Sequence, residues 1–372
     1  MRTPLFAYHR AHAQKLVNFH GWEMPLYFSG IRDEHFAVRS RAGFFDVSHM
    51  GKIQVTGAAS ELQFLVPSRL PLQTGGCRYT FLLDGEGRIL DDTILCRLSN
   101  KSFLFVSNAG PRDRIVAWFE DHLGRNHVQD CTSDLVCLAL QGPKAEAALQ
   151  PFSSSPLGGL RSFRGTPTEI PKDAPVETEG WASLSDFLEL ETSFGPRTYY
   201  LTRTGYTGEI GFEIYAPNSL GVALWTALVG DSGIPPVGLG ARDTLRLEKG
   251  YLLSGQDFNG SQTPFEVGYA RVVHWDHDFV GREALRIQAE ETGYRRLQGV
   301  QLLEPGVLRP GYAVWQRNRA VGTLTSGTFS PTLGIGIGIG YLEDEAREPG
   351  QALEVEVRKK RLRAVATAPP FV

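Results

Sequence analysis

The chain has few of the residues that mark metal centres, and it lacks the segments that mark membranes and secretion. Its 372 residues include four cysteines with no Cys-x-x-Cys pair, and its nine histidines have no paired acidic or thiol neighbours. Zinc and iron–sulfur sites normally need such spacing, so we expect neither. No apolar run approaches the roughly 18 residues of a membrane span, and no apolar signal segment follows the first residues. We therefore expect a cytoplasmic protein with reduced thiols.

A strong charge of either sign is also missing. The formal net charge is -3 and the isoelectric point is about 6.3, so the chain as a whole attracts neither nucleic acid nor anionic lipid, and we expect no binding of either. The chain does have length and apolar residues. With 42% hydrophobic residues it can bury an ample core, and its length favours two or three domains.

Short helical and strand patterns alternate through most of the chain and predict an α+β protein with mainly antiparallel sheets. Helical spacing occurs at residues 7–20, 30–41, 57–65, 111–123, 144–150 and 218–229. Strand patterns occur at residues 52–56, 77–83, 88–98, 103–108, 135–140, 198–203 and 211–215. Turn-rich residues join the strands at 77–83 and 88–98 and indicate a hairpin there.

Two segments depart from this alternation. Residues 152–182 are dense in serine, proline, glycine and mixed charge, which predicts an extended surface loop with room for one short strand. From about residue 297 onward the pattern is strand and turn with little helix. This predicts a separate β domain at the end of the chain.

Two adjacent carboxylates, Asp91 and Asp92, interrupt the strand predicted at residues 88–98. Strand side chains alternate between faces, so Asp92 falls on the more apolar face, with Leu90, Ile94, Cys96 and Leu98. A carboxylate there must be hydrogen-bonded, neutralised or used in chemistry, because burying it unpaired costs several kcal/mol or more. From this strand alone, two interpretations of Asp92 remain open: a hydrogen-bonded acid that stabilises the structure, and an acid that takes part in function.

Two glycine-containing segments are candidates for ligand binding. Residues 203–213 carry three glycines around Tyr206 and end on Glu213; an aromatic ring beside a carboxylate suits a flat heterocycle with N–H donors, but a tight hairpin with surface acids explains the pattern equally well. Residues 238–248 lead from glycines into a helix with Arg242 and Arg246 one turn apart. Such a pair can grip an anion, although this pattern alone favours salt bridges within the helix.

Two patterns occur in the predicted β domain. Glycine alternates with isoleucine at residues 334–340, which indicates a strand whose glycine face packs against a neighbouring backbone rather than a binding cleft. Basic residues fill positions 358–363. There we favour a charged guard on an edge strand over a docking patch for an acidic partner.

Taken together, the motifs occur in the order seen in one known family. They are Arg2–Phe6, Gly21–Tyr27, Phe45–Gly51, Leu90–Ile94, Gln141–Lys144, Arg203–Glu213, Gly238–Glu248, Pro264–Gly268 and Ser326–Gly334. In this series the chain resembles the T-protein family of the glycine cleavage system over essentially its whole length.

The resemblance implies a three-domain cloverleaf around a central opening that holds tetrahydrofolate. Two α+β domains with antiparallel sheets interleave in sequence, and a C-terminal β-barrel follows. We expect a first domain at residues 1–55 and 137–229, a second at 56–136 and 230–290, and the barrel at 291–372. We also expect a monomer.

The resemblance also implies an aminomethyltransferase reaction. The one-carbon unit on the lipoyl group of the partner H-protein passes to tetrahydrofolate, giving 5,10-methylenetetrahydrofolate and ammonia. Asp92 matches the family's essential acid, and Asp91 is the weaker candidate. The other positions that match folate contacts are Met50, Tyr79, Asn108, Tyr206, Glu213 and Arg242.

Some positions depart from the family pattern, and a second function stays open. Pro111, Ser254 and Asn259 replace commoner residues, which affects contacts at the rim of the folate site. The alternative is a folate-binding relative, either a module for demethylating N-methylglycines or a non-catalytic folate-binding protein. For the surface that receives the lipoyl arm, we take the run Lys359–Arg363 as the candidate.

Overall fold

The computed structural model describes residues 1–174, 176, 182–190 and 195–372. The chain forms two compact units. The first unit comprises Met1–Gln63, Arg69–Thr80 and Asp92–Arg242, and the second comprises Phe64–Ser68, Phe81–Asp91 and Asp243–Val372. The division into three domains with the boundaries given above stays a prediction.

Two five-stranded sheets, both antiparallel where pairings are resolved, are built from the strands of the first two thirds of the chain. Their strands are β3 (Gly43–Asp46), β4 (Gly51–Thr56), β5 (Cys77–Leu83), β6 (Ile89–Arg97), β7 (Ser102–Ser107), β8 (Val128–Asp130), β9 (Leu135–Gln141), β10 (Gly165–Glu169), β11 (Thr198–Thr202) and β12 (Gly211–Pro217). The first sheet has the order β10-β11-β12-β9-β3 and the second β5-β6-β7-β4-β8. A hairpin of β1 (Lys15–Phe19) and β2 (Trp22–Tyr27) precedes them.

Helices lie before, between and after these strands in the chain. They are α1 (Phe6–His12), α2 (Ile31–Ser40), α3 (Ala59–Phe64), α4 (Arg112–Leu123), α5 (Ala145–Leu149), α6 (Asn218–Trp225), α7 (Leu239–Glu248) and α8 (Arg282–Gln288). Leu224 and Trp225 of α6 are fully buried in one cluster with Leu138 and Ile214 of the first sheet. Burying such large side chains stabilises the unit by roughly 1.5–3 kcal/mol each. No helix in the described ranges is long and apolar enough to cross a membrane.

The C-terminal strands close into a barrel in the order β13-β16-β15-β14-β17-β18. These strands are β13 (Arg296–Leu302), β14 (Ala313–Gln316), β15 (Arg319–Ser330), β16 (Ile335–Leu342), β17 (Ala352–Val357) and β18 (Lys360–Thr367). A Cβ atom on Gly340 would lie 2.3 Å from the main-chain oxygen of Thr323. The glycine face of β16 therefore packs against a neighbouring backbone, as the sequence favoured.

The expected α+β class with antiparallel sheets and a C-terminal barrel is confirmed. One local prediction was wrong. Residues 7–20 do not form one helix, because the chain turns after α1 into the β1–β2 hairpin. In residues 152–182 the expected short strand is β10. The buried side chains of Leu157 and Ile170 show that this segment also contributes to the core, while part of it lies outside the described residues.

The basic run at residues 358–363 does not guard a sheet edge. Arg358 and Lys359 both have positive φ and form the two-residue turn between β17 and β18, a turn geometry that suits the twist of a hairpin. Because the barrel is closed, these strands are paired on both sides. The edge-guard interpretation was therefore wrong.

Candidate functional site

The carboxylate of Asp92 is held by one donor on β5 and one directly after β7, the two strands that flank β6. It is partly buried. Its Oδ2 accepts a hydrogen bond from the Tyr79 hydroxyl at 2.9 Å, and its Oδ1 accepts one from Nδ2 of Asn108 at 2.6 Å. Both donors are neutral groups, and they orient the carboxylate.

The expectation that Asp92 lies on the more buried face of its strand was wrong. Asp91 and Leu95 are fully buried, whereas Asp92 and Ile94 are partly exposed. The sequence shows how many apolar residues each face carries, but not which face the rest of the chain covers. Asp91 accepts a hydrogen bond from Oγ of Ser254 at 3.0 Å. Asp91 therefore fits the satisfied structural acid, and Asp92 is the accessible one.

Strand register places Met50 beside this carboxylate. Gly51 pairs with Ser107 in the antiparallel ladder between β4 and β7, so Met50 and Asn108, one position beyond each, lie next to one another. Met50 is partly exposed at the end of the loop that joins the two sheets. Its sulfur accepts a contact from Nη2 of Arg242 at 3.8 Å. Met50 thereby connects the Asp92 group with the residues of α7.

Buried Asp46 anchors the start of the loop that ends on Met50. Its Oδ2 lies 2.7 Å from Nε2 of His9 and 2.6 Å from Oγ1 of Thr3, and its Oδ1 accepts the amide of Ser48 at 2.9 Å. Burial alone would raise the pKa of Asp46, but the hydrogen bond and charge of His9, with the bonds from Ser48 and Thr3, lower it to about 2.

Lys52 anchors the other end of the same loop. Its side chain is fully buried, and Nζ donates to the main-chain oxygens of Ser48 at 2.7 Å and Met50 at 2.9 Å. Burial lowers the pKa of Lys52 to about 8, although Cys137 and Asp46 oppose the shift. The buried ammonium group therefore supplies the hydrogen bonds that water would otherwise donate to these two loop carbonyls.

His49 is a neutral buried group in this loop. Burial, and next the charge of Arg242, lower its pKa to about 3, so the imidazole carries no charge near neutral pH. Its Nδ1 has no hydrogen-bond partner in the described part of the chain. Its ring packs edge-on against Phe19, with ring centres 5.4 Å apart.

Arg242 and Tyr206 form a second group at the end of the first sheet. The guanidinium carbon of Arg242 lies 4.6 Å from the centre of the Tyr206 ring, in cation–π contact. No carboxylate among residues 1–174, 176, 182–190 and 195–372 lies within salt-bridge distance of Arg242. Burial lowers the pKa of Arg242, against the influence of Tyr206 and Glu213, yet arginine keeps its charge in proteins. The site therefore holds a cation without a carboxylate partner.

Glu213 on β12 is fixed through only one of its carboxylate oxygens. Oε2 accepts hydrogen bonds from Oγ1 of Thr204 at 2.5 Å and from the Tyr215 hydroxyl at 3.4 Å. Nothing that the structure describes donates to Oε1, and the side chain is partly exposed. A carboxylate held in this way can accept N–H groups from a ligand.

All seven residues predicted for the site belong to the first unit. The contacts and register above join five of them, Asp92, Tyr79, Asn108, Met50 and Arg242, and Tyr206 follows through its contact with Arg242. Glu213 is linked to Arg242 electrostatically. Sequence reasoning gave no role to Asp46, His49 and Lys52. Asp46 and His49 lie within the motif Phe45–Gly51, and Lys52 directly follows it.

The arrangement offers two complementary chemistries. One group is an oriented, partly exposed carboxylate that can hold or move a proton. The other combines an aromatic face, a carboxylate oxygen and a cation, a set that suits a flat heterocycle bearing N–H donors and carbonyl groups. Among the described residues, no group of three or more histidine, cysteine or acidic side chains is placed to hold a metal ion.

Comparison with solved structures defines the class of fold. The chain matches the crystal structure of the glycine cleavage system aminomethyltransferase T from Bartonella henselae with a TM-score of 0.87 and 31% sequence identity, over 100% of this chain and 98% of that one. This likeness extends over both sheets and the barrel.

Comparison of sequences defines the family. The profile of the GCVT N-terminal domain matches residues 5–163 and 186–277, and that of the glycine cleavage T-protein C-terminal barrel domain matches residues 295–372. Aminomethyltransferases from Nostoc sp. and Bacillus subtilis are 41% and 37% identical to the chain, over all of its length and 95% and 98% of theirs. The chain belongs to the glycine cleavage T-protein family, as its motifs indicated.

Proposed function

We propose that this protein is the aminomethyltransferase of the glycine cleavage system, with tetrahydrofolate as the one-carbon acceptor. Family membership over the full length supports this activity. In the reaction, the bonds from the carbon to the lipoyl sulfur and to the amino nitrogen break, and two bonds to folate nitrogens form. The two N–H protons of tetrahydrofolate leave with the thiol and the ammonia, so no oxidant or reductant is needed.

Asp92 is the residue that we assign to the proton in this reaction. The observation that carries the assignment is its partly exposed carboxylate, aimed by Tyr79 and Asn108 at 2.9 and 2.6 Å. Orientation by two neutral donors fits a group that positions the folate amine and accepts its proton during attack on the carbon. Asp91 is fully buried and takes no part in this step.

The second group of residues fits the pterin end of tetrahydrofolate. Oε1 of Glu213 accepts pterin N–H groups, the Tyr206 ring contacts the heterocycle, and the partly exposed guanidinium of Arg242 favours its carbonyl oxygen. Met50 supplies an adaptable apolar contact between the two groups. The fit rests on the chemistry of these donors and acceptors within one unit.

The one-carbon donor is, in this proposal, the aminomethylated lipoyl arm of H-protein. We assign its docking to the basic run Lys359–Arg363, which comprises the last turn residue and the start of β18. Lys359 and Lys360 are exposed, while Arg361 lies 3.7 Å from Glu354 and Arg363 lies 3.3 Å from Glu304. Two lysines with no ion partner in the described structure are thus available for an acidic partner. A monomeric state and a cytoplasmic location stay predictions.

The test is formation of 5,10-methylenetetrahydrofolate from aminomethylated H-protein and tetrahydrofolate. Asp92→Asn should lower turnover by about 10² to 10⁴, the usual contribution of a proton-transfer group, and should still bind folate. Asp91→Asn is the matched control, and its turnover per folded molecule should stay near that of wild type. Equal losses in both variants would remove Asp92 from its role.

The runner-up function makes a different prediction for the unmodified chain. A folate-binding relative would bind tetrahydrofolate but form no methylene product with aminomethylated H-protein. The full-length match to aminomethyltransferases favours the transferase over this alternative.

A further inference from the structure

Gln141, at the end of β9, lies beneath the loop that carries Tyr206. Its side chain is almost completely buried. Nε2 donates to the main-chain oxygens of Thr204 at 3.2 Å and Phe212 at 3.4 Å, and Oε1 accepts the hydroxyl of Thr207 at 2.9 Å. One amide thus bonds both ends and the middle of the segment 204–212.

The glycines of this loop are explained by the same amide. A Cβ atom on Gly205 would lie 2.0 Å from Oε1 of Gln141, and one on Gly211 would lie 2.4 Å from Nε2. Real Cβ atoms do not come so close, so the loop can rest on Gln141 only with glycine at both positions. At these two positions the close neighbour is therefore a side chain of the protein itself, Gln141.

Arg39 on α2 also binds the same loop through hydrogen bonds. Nη1 of Arg39 donates to the main-chain oxygen of Thr207 at 2.6 Å and to Oε1 of Glu209 at 2.8 Å. Tyr206 therefore lies between Thr204 and Thr207, two residues whose positions are fixed by hydrogen bonds. With the loop fixed, the Tyr206 ring is held against Arg242.

We propose that Gln141 is a positioning residue for folate binding, acting through the 204–212 loop on Tyr206. This inference rests on the proposed function, in which Tyr206 contacts the pterin. Only a carboxamide can form all three hydrogen bonds with the loop, because it offers two N–H donors to two carbonyls and an acceptor to a hydroxyl. A methionine would leave those carbonyls and the hydroxyl unpaired, and an ionised glutamate would face the carbonyls with an acceptor.

The experiment measures tetrahydrofolate affinity and steady-state kinetics in Gln141→Met and in a control, Gln54→Met. Gln54 is also a buried amide of the first unit, and its Oε1 accepts the amide of Glu189 at 2.7 Å, away from the loop. Gln141→Met should weaken folate binding about tenfold, in line with lost bonds to a buried loop. Its kcat at saturating folate should change less than about twofold, because Asp92 keeps its donors.

Gln54→Met should lose comparable stability and keep wild-type folate affinity. Thr207→Val removes one hydrogen bond to Gln141 and is the substitute test variant if Gln141→Met does not fold. It should weaken folate binding about threefold. Amide hydrogen exchange in residues 204–212 should accelerate in both loop variants but not in the control.

Wild-type folate affinity in Gln141→Met, or in Thr207→Val if the first variant does not fold, would overturn the positioning role. A fall in kcat with unchanged affinity would overturn it too. These results are distinct from failure of the proposed function, which would appear as an absence of tetrahydrofolate binding or of turnover in the wild-type chain.

Discussion

Arg242 and Arg246 lie one turn apart on α7 and have opposite surroundings. Arg246 is buried, and its guanidinium bonds Asp243, Asp257, the main-chain oxygen of Tyr251 and Oγ of Ser326, all between 2.8 and 2.9 Å. Arg242 is partly exposed, and within the described residues its guanidinium contacts a thioether and an aromatic face but no carboxylate at salt-bridge distance.

The difference separates a structural charge from a binding charge. A buried ion whose donors are all used stabilises the fold and has nothing left for a ligand. A partly exposed ion without a carboxylate partner has unused donors, and a ligand can supply the missing acceptor. The same contrast distinguishes Asp91, buried and bonded to Ser254, from Asp92.

The largest expected effect comes from removing the structural charge. Arg246→Met would leave Asp257, which is fully buried, without its ion partner and should lower the free energy of unfolding by about 3–5 kcal/mol. Urea denaturation measures this, and folate affinity of the folded variant should change little. A stable variant that had lost folate binding would reverse the assignment of the two arginines.

Removing the binding charge should have the opposite profile. Arg242→Met should weaken tetrahydrofolate binding by about 30-fold, because a charge-assisted hydrogen bond is worth roughly 1.5–3 kcal/mol. The free energy of unfolding should change by less than about 1 kcal/mol, since no ion pair is broken. Isothermal titration and urea denaturation test the two parts separately, and unchanged affinity would exclude Arg242 from the site.

A smaller effect is expected at the turn of the barrel. Reversing the charges of Lys359 and Lys360 to glutamate should raise the KM for H-protein several-fold at low salt, because exposed charges act mainly on encounter and are screened by ions. Folate affinity should stay at the wild-type value. The docking assignment fails if the KM for H-protein is unchanged at low ionic strength.

The smallest effect is a pH dependence of stability from His49. Burial and the charge of Arg242 lower its pKa to about 3 from an ordinary 6.5, so the unfolded chain binds the proton more tightly. The stabilising contribution is present above pH 6.5 and is lost as the pH falls, by about 1 kcal/mol between pH 6.5 and 5.5. His49→Gln should flatten this slope in urea titrations, and an identical slope would contradict the assignment.

Much of the fold could be predicted from local patterns. The hairpin of β5 and β6, helix α4 and the glycine strand β16 match their predicted positions within a residue or two, because alternation, helical spacing and turn residues act over short distances. The β1–β2 hairpin was missed, since residues 7–20 have helical spacing and tertiary pairing overrides it.

The site was reached from the sequence mainly by resemblance. Strand alternation correctly separated Asp91 from Asp92, but it assigned burial to the wrong face. The local arguments for Arg242 and Arg246 treated the two residues alike, because spacing on a helix does not say what approaches each of them. Gln141 was noted only as the first residue of the motif Gln141–Lys144, and its positioning role is revealed by its contacts with a segment more than 60 positions away.

The sequence by itself determined most of the elements, the C-terminal β domain and the family, since these follow from periodicity, turn chemistry and the order of motifs. Only the tertiary structure decided which of two adjacent carboxylates is accessible and which of two arginines is bonded to a buried carboxylate. The reason is physical: the burial and pairing of a charge depend on groups distant in the chain, and the free energy of a partly buried charge is set by those groups.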